Sequence, residues 1–394
     1  SQESNNNNNN NTILDRSECS AKLNKSLQTD GFALVKGTRI PKNICDSALQ
    51  AAKAFLHDAD ESVRRSCLTK DRARRGYSPM CTENFASLAG MRGPNDLVKK
   101  FRIGPVSKEN GEDDGGGEDD DDDDDANGRG RAVLSSLHRP NAWPTEEVWG
   151  DETASVFRSA VEEYYERMCH AADCILKAIC DGIAAENAEI SSSLRRLLES
   201  TNNSTNRNTI HGNESDDDPH HTSILTLLGY QPGSRHKKGS KGYMRPLVSA
   251  HTDVGMITVL LFDAGRCASL QRVADASDAD PESKDWIDVD LPVGGRYDDD
   301  DDDGDPVFVV NVGDCLSELS GGLLRSTLHR VVPRPCTNVS KEEGEEESVV
   351  RTCLALFVGL EPWTSLALPS GEVVTYEQWR KDRIARATAV LKNR

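Results

Sequence analysis

The pattern of apolar and polar positions divides the chain into a helix-rich first half and a strand-rich second half. Over Asp151–Ile183, apolar residues recur at the spacing of one helix face. The residues on this stripe are Phe157, Val161, Tyr165, Met168, Ala172, Ile175 and Ile179. We also predict helices over Asn43–Asp58 and Tyr376–Val390. The long stripe indicates a core-facing surface, and we read no cofactor-binding motif into it.

Short apolar runs bounded by turn-forming or acidic residues characterise the second half. The predicted strands are Ser223–Leu228, Gly255–Phe262, Ser269–Val273, Trp286–Val289, Val307–Val312, Leu324–Val332 and Val349–Val358. Their irregular spacing favours an antiparallel barrel or jelly roll over alternating β-α-β units. The predicted fold class is α+β, with a double-stranded β-helix (jelly-roll) core flanked by N-terminal and C-terminal helices.

Changes in composition along the chain predict four regions. Residues 1–25 form a disordered, Asn-rich tail, and residues 26–199 form an N-terminal region that is helical with short strands. That region carries an acidic insert at 107–130. Residues 220–362 form the jelly-roll core, and residues 363–394 form a C-terminal helix.

The formal charge of −19 is concentrated in a few acidic runs. Of the 66 acidic residues, 27 lie in Glu112–Asp125, Glu214–Asp218, Asp298–Asp305 and Glu342–Glu347, where no Lys or Arg occurs. The rest of the chain has 39 acidic and 47 basic residues, a net charge of +8. Runs of like charge repel each other and stay solvated, so the acidity says little about the substrate. Since no basic stripe with interleaved aromatic residues occurs, we expect no nucleic-acid partner.

The cysteines and the apolar runs indicate the kind of cellular compartment in which the protein is found. The eleven cysteines include no C-x-x-C pair and are odd in number, which favours a reducing compartment over a disulfide framework. No apolar run approaches the roughly 20 residues that span a bilayer. We therefore expect a cytoplasmic protein without a membrane partner, and we expect a monomer.

The stretch "SAHTDVGMITVLL" (Ser249–Leu261) reads as a buried strand that contains two polar side chains. Within a strand, His251 and Asp253 would project from the same face, where they are costly unless paired or bound to something. A metal ion would account for both side chains. The alternative is a hydrogen bond between the two at a strand end.

A third candidate ligand, His329, occurs in "LLRSTLHRVV" (Leu323–Val332). Two imidazoles and one carboxylate form the facial triad of non-haem Fe(II) sites, which leaves coordination positions open for oxygen chemistry. Zinc also accepts two His and one Asp. A hydrolytic zinc site needs further groups, and no signature such as H-E-x-x-H is present.

The order of these motifs resembles a known family. H-T-D, then H-R-V-V, then R-x-C where Ser is usual, is similar to the iron- and 2-oxoglutarate-dependent dioxygenases of the isopenicillin N synthase and plant gibberellin oxidase type. The similarity extends from about Asp30 to Pro362. Further matching stretches are "RGYSPM", "NDLVKKFRIGP", "NAWP", "LTLLGYQPG", "LQRV", "WIDV" and "VFVVNVGDCLSELSGG".

The resemblance implies a cofactor set and the residues that hold it. Its cofactors are Fe(II), 2-oxoglutarate as co-substrate and O₂, with ascorbate as an added reductant. By resemblance, His251, Asp253 and His329 are the catalytic metal ligands. The far carboxylate of 2-oxoglutarate would meet Arg351, with Cys353 and Tyr230 beside it.

Two arginines are candidates for binding the far carboxylate of 2-oxoglutarate, and their sequence surroundings favour Arg351. A guanidinium can grip a carboxylate with two parallel hydrogen bonds. Arg334 is the rival of Arg351, but it lies between two prolines in "VVPRPC", which is a poor place for a strand within a sheet. The departure at Cys353 replaces a hydroxyl by a thiol, a weaker hydrogen-bond donor.

The implied reaction is an oxygenation of a small organic substrate. Oxidative decarboxylation of 2-oxoglutarate to succinate and CO₂ would be coupled to hydroxylation or desaturation of a substrate carbon. Two alternatives remain open from the sequence. One is a synthase-like oxidase that uses O₂ without 2-oxoglutarate, and the other is a non-catalytic metal-binding barrel.

The composition of the acidic insert makes a prediction about stability. Glu112–Asp125 contains no large apolar residue to bury, so deleting it should leave the thermal midpoint and the activity near those of the intact protein. Calorimetric melting of the deletion variant checks this. A large drop in the midpoint would show that the insert is an ordered element.

Overall fold

The strands of the described residues assemble into three antiparallel sheets, and the two larger sheets pack against each other. The computed structural model describes residues 15–70, 75–88, 93–106, 140–203, 222–231, 245–263, 267–275, 285–289, 305–334 and 350–393. The strands are β1 Phe32–Val35, β2 Gly76–Ser78, β3 Lys99–Ile103, β4 Ile224–Tyr230, β5 Val248–His251, β6 Ile257–Phe262, β7 Ala268–Val273, β8 Trp286–Asp288, β9 Phe308–Val312, β10 His329–Pro333, β11 Arg351–Phe357, β12 Ser365–Ala367 and β13 Val373–Thr375.

The order of the strands brings distant parts of the chain together. The large sheet has the order β1-β9-β6-β11-β4-β3-β2, and the second sheet has the order β5-β10-β7-β8. Strands β12 and β13 form a separate hairpin. An apolar cluster fills the space between the two larger sheets, with Leu228, Phe262 and Cys353 from one and Leu270 and Val331 from the other. Each of the seven predicted strands overlaps an observed one.

Most helices lie in the N-terminal region, where one packs on the large sheet, and one short helix packs on β5 of the second sheet. The helices are α1 Arg16–Thr29, α2 Lys42–Lys53 with a π-helical turn at Ala54–Asp58, α3 Glu61–Ser66, α4 Phe85–Leu88, α5 Glu146–Trp149, α6 Asp151–Ala184, α7 Ala188–Asn203, α8 Asp314–Leu319 and α9 Tyr376–Asn393. All seven residues of the predicted stripe on α6 are buried. Helices α1, α2 and α7 pack on α6, and α2 also contacts β11 and β4. None of the helices in the described ranges combines the length and apolar character needed to cross a membrane.

The predicted tail at residues 1–25 is wrong in its last part. Helix α1 begins at Arg16, although its sequence is polar and carries few apolar residues. Tertiary contacts hold this helix in place. Leu27 is fully buried in the core, and Asn24 donates a hydrogen bond from Nδ2 to the carbonyl oxygen of Ile179 on α6 at 3.2 Å. Composition alone could not reveal contacts with a helix so far along the chain.

The predicted boundary between residues 199 and 220 does not separate the β-core from the N-terminal region. Strand β1 pairs with β9, and β3 pairs with β4, so the N-terminal region supplies three strands to the large sheet. These strands are short, and their pairing partners lie far away in the sequence. The predicted acidic insert at 107–130 lies outside the described residues.

Two predicted strands are also shorter than expected. The stretch Ser249–Leu261 is not one strand, because β5 ends at His251 and β6 begins at Ile257. The segment Leu324–Val332 is a strand only from His329 onward. In both cases a ligand candidate lies at a strand end, where the chain leaves or enters the sheet.

Candidate active site

The two histidines face each other across a pair of strands. His251 ends β5 and His329 begins β10, and the two are paired in the register of the sheet. The Nδ1 atom of His251 lies 2.8 Å from the carbonyl oxygen of Ser249, and Nδ1 of His329 lies 3.0 Å from that of Thr327. Because a carbonyl can only accept, each Nδ1 carries the hydrogen and donates it. Each Nε2 atom is left with its lone pair available to a metal ion.

Asp253 lies in the loop between β5 and β6, and its two carboxylate oxygens have different partners. Oδ2 accepts hydrogen bonds from Oγ1 of Thr258 at 2.5 Å and from Nδ2 of Asn311 at 2.8 Å. Oδ1 lies 3.8 Å from Nε2 of His251 and 3.9 Å from Nε2 of His329. One oxygen therefore anchors the carboxylate, while the other completes a group of three donor atoms with the imidazoles.

These three residues fit a divalent metal ion. One candidate ligand atom from each of His251, Asp253 and His329 lies within 4.8 Å of the other two. Two histidines and one carboxylate form the set that holds non-haem Fe(II) on one side. The bonds from Nδ1 to backbone carbonyls are the outer contacts that orient metal-binding histidines. The geometry of these donors is thus consistent with the iron site that the sequence predicts.

The protonation of the site also suits a metal ion. Burial is the largest cause that lowers the pKa of His251 to about 4, and the electrostatic interaction with the neighbouring imidazole of His329 acts in the same direction. Burial alone would raise the pKa of Asp253, but the two imidazoles and the hydrogen bonds from Thr258 and Asn311 lower it below its usual range. At neutral pH the site therefore presents a charged carboxylate and an uncharged His251.

Phenylalanine rings pack against both imidazoles. The ring of Phe85 stacks on His251 with centroids 5.4 Å apart, and the edge of Phe32 meets His329 with centroids 5.6 Å apart. Phe357 lies 6.4 Å from Phe85. These rings restrict rotation of the imidazoles and give one side of the site an apolar wall.

A buried ionic network supports Phe85 from behind. Nζ of Lys100 lies 3.7 Å from the centroid of the Phe85 ring, and it donates to Asp96 and Glu83 at 3.0 Å each. Asp96 also accepts the backbone N–H of Phe85 at 3.1 Å. These residues could not be identified from the sequence, because their charges come together only through the pairing of β3 with its neighbours and the folding of the segment before it.

Arg351 is a buried cation on the large sheet, next to Tyr230 on the adjacent strand. Its exposed fraction is 2%, and Nη1 donates to the carbonyl oxygen of Ala268 at 2.5 Å. Its guanidinium also lies over the ring of Phe262, 4.3 Å from the centroid. Within the described part of the chain, Nη2 has no hydrogen-bond partner. Because a buried guanidinium N–H is costly without a hydrogen-bond acceptor, this nitrogen favours an anion as ligand.

Cys353 and Tyr230 are neutral neighbours of Arg351. Cys353 follows two positions later on β11 and so shares the face of Arg351. Burial raises the pKa of the Cys353 thiol to about 12, and burial also raises the pKa of the Tyr230 hydroxyl. Both side chains keep their protons at neutral pH, so both can donate a hydrogen bond to an anion.

The structure also places two further residues of interest, Arg334 and Asn311. The rival arginine, Arg334, has a side chain that is 46% exposed and pairs with Asp288 at 2.7 Å. Asn311, within the predicted strand Val307–Val312, lies in β9 and donates to Asp253. Only the pairing of β9 with β6 places this amide beside the loop that carries Asp253.

Comparisons with known proteins find similar oxygenases. Residues 7–146 match the family model described as the non-haem dioxygenase in morphine synthesis N-terminal domain. Clavatol oxidase claD of Penicillium crustosum is 24% identical over 77% of this chain and 72% of its own length. The 2-oxoglutarate-Fe(II) type oxidoreductase hxnY of Emericella nidulans is 25% identical over 79% of this chain and 68% of its own length.

A solved structure shares the fold. A 2OG-Fe(II) oxygenase family protein from Caulobacter crescentus superposes with a TM-score of 0.59 over 94% of this chain and 95% of its own, at 20% identity. This likeness supports the jelly-roll core. The chain is therefore similar over most of its length to 2-oxoglutarate- and Fe(II)-dependent oxygenases.

The lowered pKa of His251 predicts how the metal-free protein responds to acid. Between pH 6.5, the ordinary value, and about 4, the unfolded chain binds a proton that folded His251 does not. Stability is therefore fully present above pH 6.5 and falls as the pH drops, by up to about 3 kcal/mol for this one group. Urea unfolding in the presence of a chelator, at pH 7.5 and pH 5, should show the loss. His251→Asn should reduce it.

His57 provides the matched control for this measurement. Burial, together with the charge of Lys99, also lowers the pKa of His57 to about 4, and His57 is not one of the three candidate metal ligands. His57→Asn should reduce the pH dependence to a similar extent and leave metal binding intact. An unchanged pH dependence in His251→Asn would contradict the account of its burial.

Proposed function

We propose that His251, Asp253 and His329 hold the iron of an oxygenase that couples oxidative decarboxylation of 2-oxoglutarate to hydroxylation or desaturation of a small organic substrate. The observation that carries the proposal is the triad itself, with its available Nε2 atoms and the anchored Asp253 carboxylate. Iron held by these three residues would supply the redox chemistry that activates O₂. The remaining chemistry of the site depends on how the chain binds and orients these groups.

Arg351 is the residue that we assign to the far carboxylate of 2-oxoglutarate. Its guanidinium is buried and charged, and Nη2 has no hydrogen-bond partner in the described residues. Cys353 and Tyr230 lie beside it and keep their protons, so each can donate to a carboxylate oxygen. Ascorbate is proposed only as a reductant that maintains Fe(II).

The chain prepares the metal ligands in two ways. The carbonyls of Ser249 and Thr327 keep a proton on each Nδ1 atom, which leaves Nε2 unprotonated for the metal. The rings of Phe85 and Phe357 exclude water from one side of the site and present an apolar surface to a substrate. This surface supports a small substrate with an apolar portion near the reacting carbon.

We further propose that the protein acts as a cytoplasmic monomer on a small molecule, without a nucleic-acid or membrane partner. Cysteines such as Cys169, Cys315 and Cys353 are packed in the core as small apolar side chains, which suits a reducing compartment. Residues 220–362, together with β1–β3, form the proposed catalytic core. The helices on the outer face of the large sheet and α9 are the proposed flanking elements.

Removing a metal ligand should abolish Fe(II) binding without unfolding the protein. His251→Ala, Asp253→Ala and His329→Ala each delete one donor at a strand end or in a loop, so the packed interior stays intact. Anaerobic titration calorimetry with Fe(II) measures the affinity, and thermal melting reports the fold. Asp288→Ala is the control, because this half-exposed carboxylate lies on the second sheet and pairs with Arg334. Wild-type affinity in all three ligand variants would exclude the triad as the iron site.

Arg351→Ala should weaken 2-oxoglutarate binding and leave Fe(II) binding almost unchanged. Truncating one member of a buried charge pair costs about 2–5 kcal/mol. The affinity of the iron-loaded protein for 2-oxoglutarate should therefore fall roughly 30-fold or more. Cys353→Ser should tighten binding modestly, because a hydroxyl is a stronger donor than a thiol. Titration of the iron-loaded protein and measurement of succinate release report both effects.

Arg334→Ala is the matched control for this pair of variants. Its side chain is half exposed and pairs with Asp288, so its loss should leave 2-oxoglutarate affinity unchanged. If Arg334→Ala caused the loss and Arg351→Ala did not, the assignment of the arginine would be wrong. If the wild-type protein consumed O₂ without releasing succinate, the synthase-like oxidase would replace the proposed reaction.

A further inference from the structure

The loop that carries Asp253 is docked on the start of helix α8. The backbone N–H of Asp314 donates to the carbonyl oxygen of Asp253 at 2.7 Å, and that of Gly313 donates to Met256 at 2.8 Å. The N–H of Cys315 donates to the carbonyl of another loop residue, Gly255, at 3.1 Å. The first N–H groups of a helix have no partner within it, so these groups are available to hold the loop.

The approach of the two segments requires glycine. A Cβ on Gly313 would lie 2.1 Å from the carbonyl oxygen of Gly255 and 3.2 Å from that of Asp253. No larger residue fits at this position without moving the loop. The position of the Asp253 backbone is therefore tied to the position of α8.

The Asp314 side chain contacts both chain segments that carry the candidate metal ligands. Oδ2 accepts a hydrogen bond from Oγ1 of Thr252, the residue between His251 and Asp253, at 3.2 Å. Oδ1 accepts one from Oγ of Ser326 at 2.6 Å. Ser326 directly precedes the residue whose carbonyl orients His329. One carboxylate thus joins the segments that carry all three candidate ligands.

The C-terminal helix α9 holds that carboxylate in turn. Nε of Arg383 donates to Oδ2 of Asp314 at 2.9 Å, and Nη2 lies 2.7 Å from the same oxygen. Nη2 also approaches Oγ1 of Thr252 at 3.4 Å. The side chains of Arg383 and Asp314 are 20% and 14% exposed, so this ion pair is only partly screened by water.

We propose that Asp314 and Arg383 are positioning residues that set the spacing between the metal ligands. Asp314 fixes the loop of Asp253 relative to the segment of His329, and Arg383 fixes Asp314 from the C-terminal helix. Metal affinity therefore depends on how α9 is docked, although α9 supplies no ligand to the triad. The inference rests on the proposed iron site.

A purely structural role for this contact makes a different prediction. Helix α9 is also joined to α8 by a hydrogen bond from Nε1 of Trp379 to Glu318 at 2.8 Å, a contact that lies away from the loop of Asp253. Glu318→Ala therefore removes a contact between the same two helices and spares the metal ligands. If Asp314 merely stabilised the packing of α9, Asp314→Ala and Glu318→Ala would behave alike.

Anaerobic titration of the metal-free, full-length protein with Fe(II) tests the proposal. We expect Asp314→Ala to weaken Fe(II) binding about tenfold, the lower end of the effect of outer contacts on metal sites. Arg383→Met should weaken it about threefold, as expected for a partly exposed ion pair, and Arg383→Lys should restore part of the loss. Glu318→Ala should lower the thermal midpoint and keep wild-type affinity.

A second readout reports the ligand geometry directly. The visible absorption of bound Co(II) depends on the arrangement of its ligands, so the spectrum should change in Asp314→Ala and Arg383→Met and stay as in the wild type in Glu318→Ala. If Asp314→Ala does not fold, Arg383→Met tests the proposal alone. The Arg383 side chain is partly exposed, so its replacement should not prevent folding. Wild-type affinity and spectrum in both variants would overturn this inference alone, whereas a wild-type protein that binds no Fe(II) would overturn the proposed function as well.

Discussion

The buried carboxylate of Asp253 is the constraint on which the rest of the site depends. A charge in this position is stable only because Thr258 and Asn311 donate to one oxygen while the other faces two imidazoles. Thr258 lies on β6 and Asn311 on β9, so the large sheet holds the carboxylate. The histidines come from β5 and β10 of the second sheet. The donor set therefore forms only where the two sheets meet.

This arrangement explains why the two sheets have separate roles. The second sheet supplies the imidazoles and orients them with carbonyls of its own chain segments. The large sheet supplies the anchor for Asp253 and, on β11, the buried Arg351 beside Tyr230. The apolar cluster between the sheets fixes the distance between the metal ligands and Arg351, the residue proposed to bind the far carboxylate of 2-oxoglutarate. The N-terminal helices stabilise the outer face of the large sheet and thereby stabilise the site indirectly.

Much of the site could be predicted from sequence because its motifs are local. His251 and Asp253 are two residues apart, and Arg351 and Cys353 share one strand face. The contacts that make those residues effective are not local, and the sequence could not reveal them. Asn311 reaches Asp253 only through strand pairing, and Phe85 stacks on His251 only after a short helix packs on β5. The same reason explains the fold: the apolar runs predicted the later strands, but not that β1 would pair with β9.

The proposed function requires that one site of the protein binds Fe(II) and, in its presence, 2-oxoglutarate. The most direct test is an anaerobic titration of the wild-type protein with 2-oxoglutarate, with and without Fe(II), that records the stoichiometry and the visible absorption. The account predicts one equivalent of tightly bound 2-oxoglutarate per chain and a new absorption band only when Fe(II) is present, because metal and Arg351 grip opposite ends of the same molecule. Binding that is absent, or equally tight without Fe(II), would contradict it.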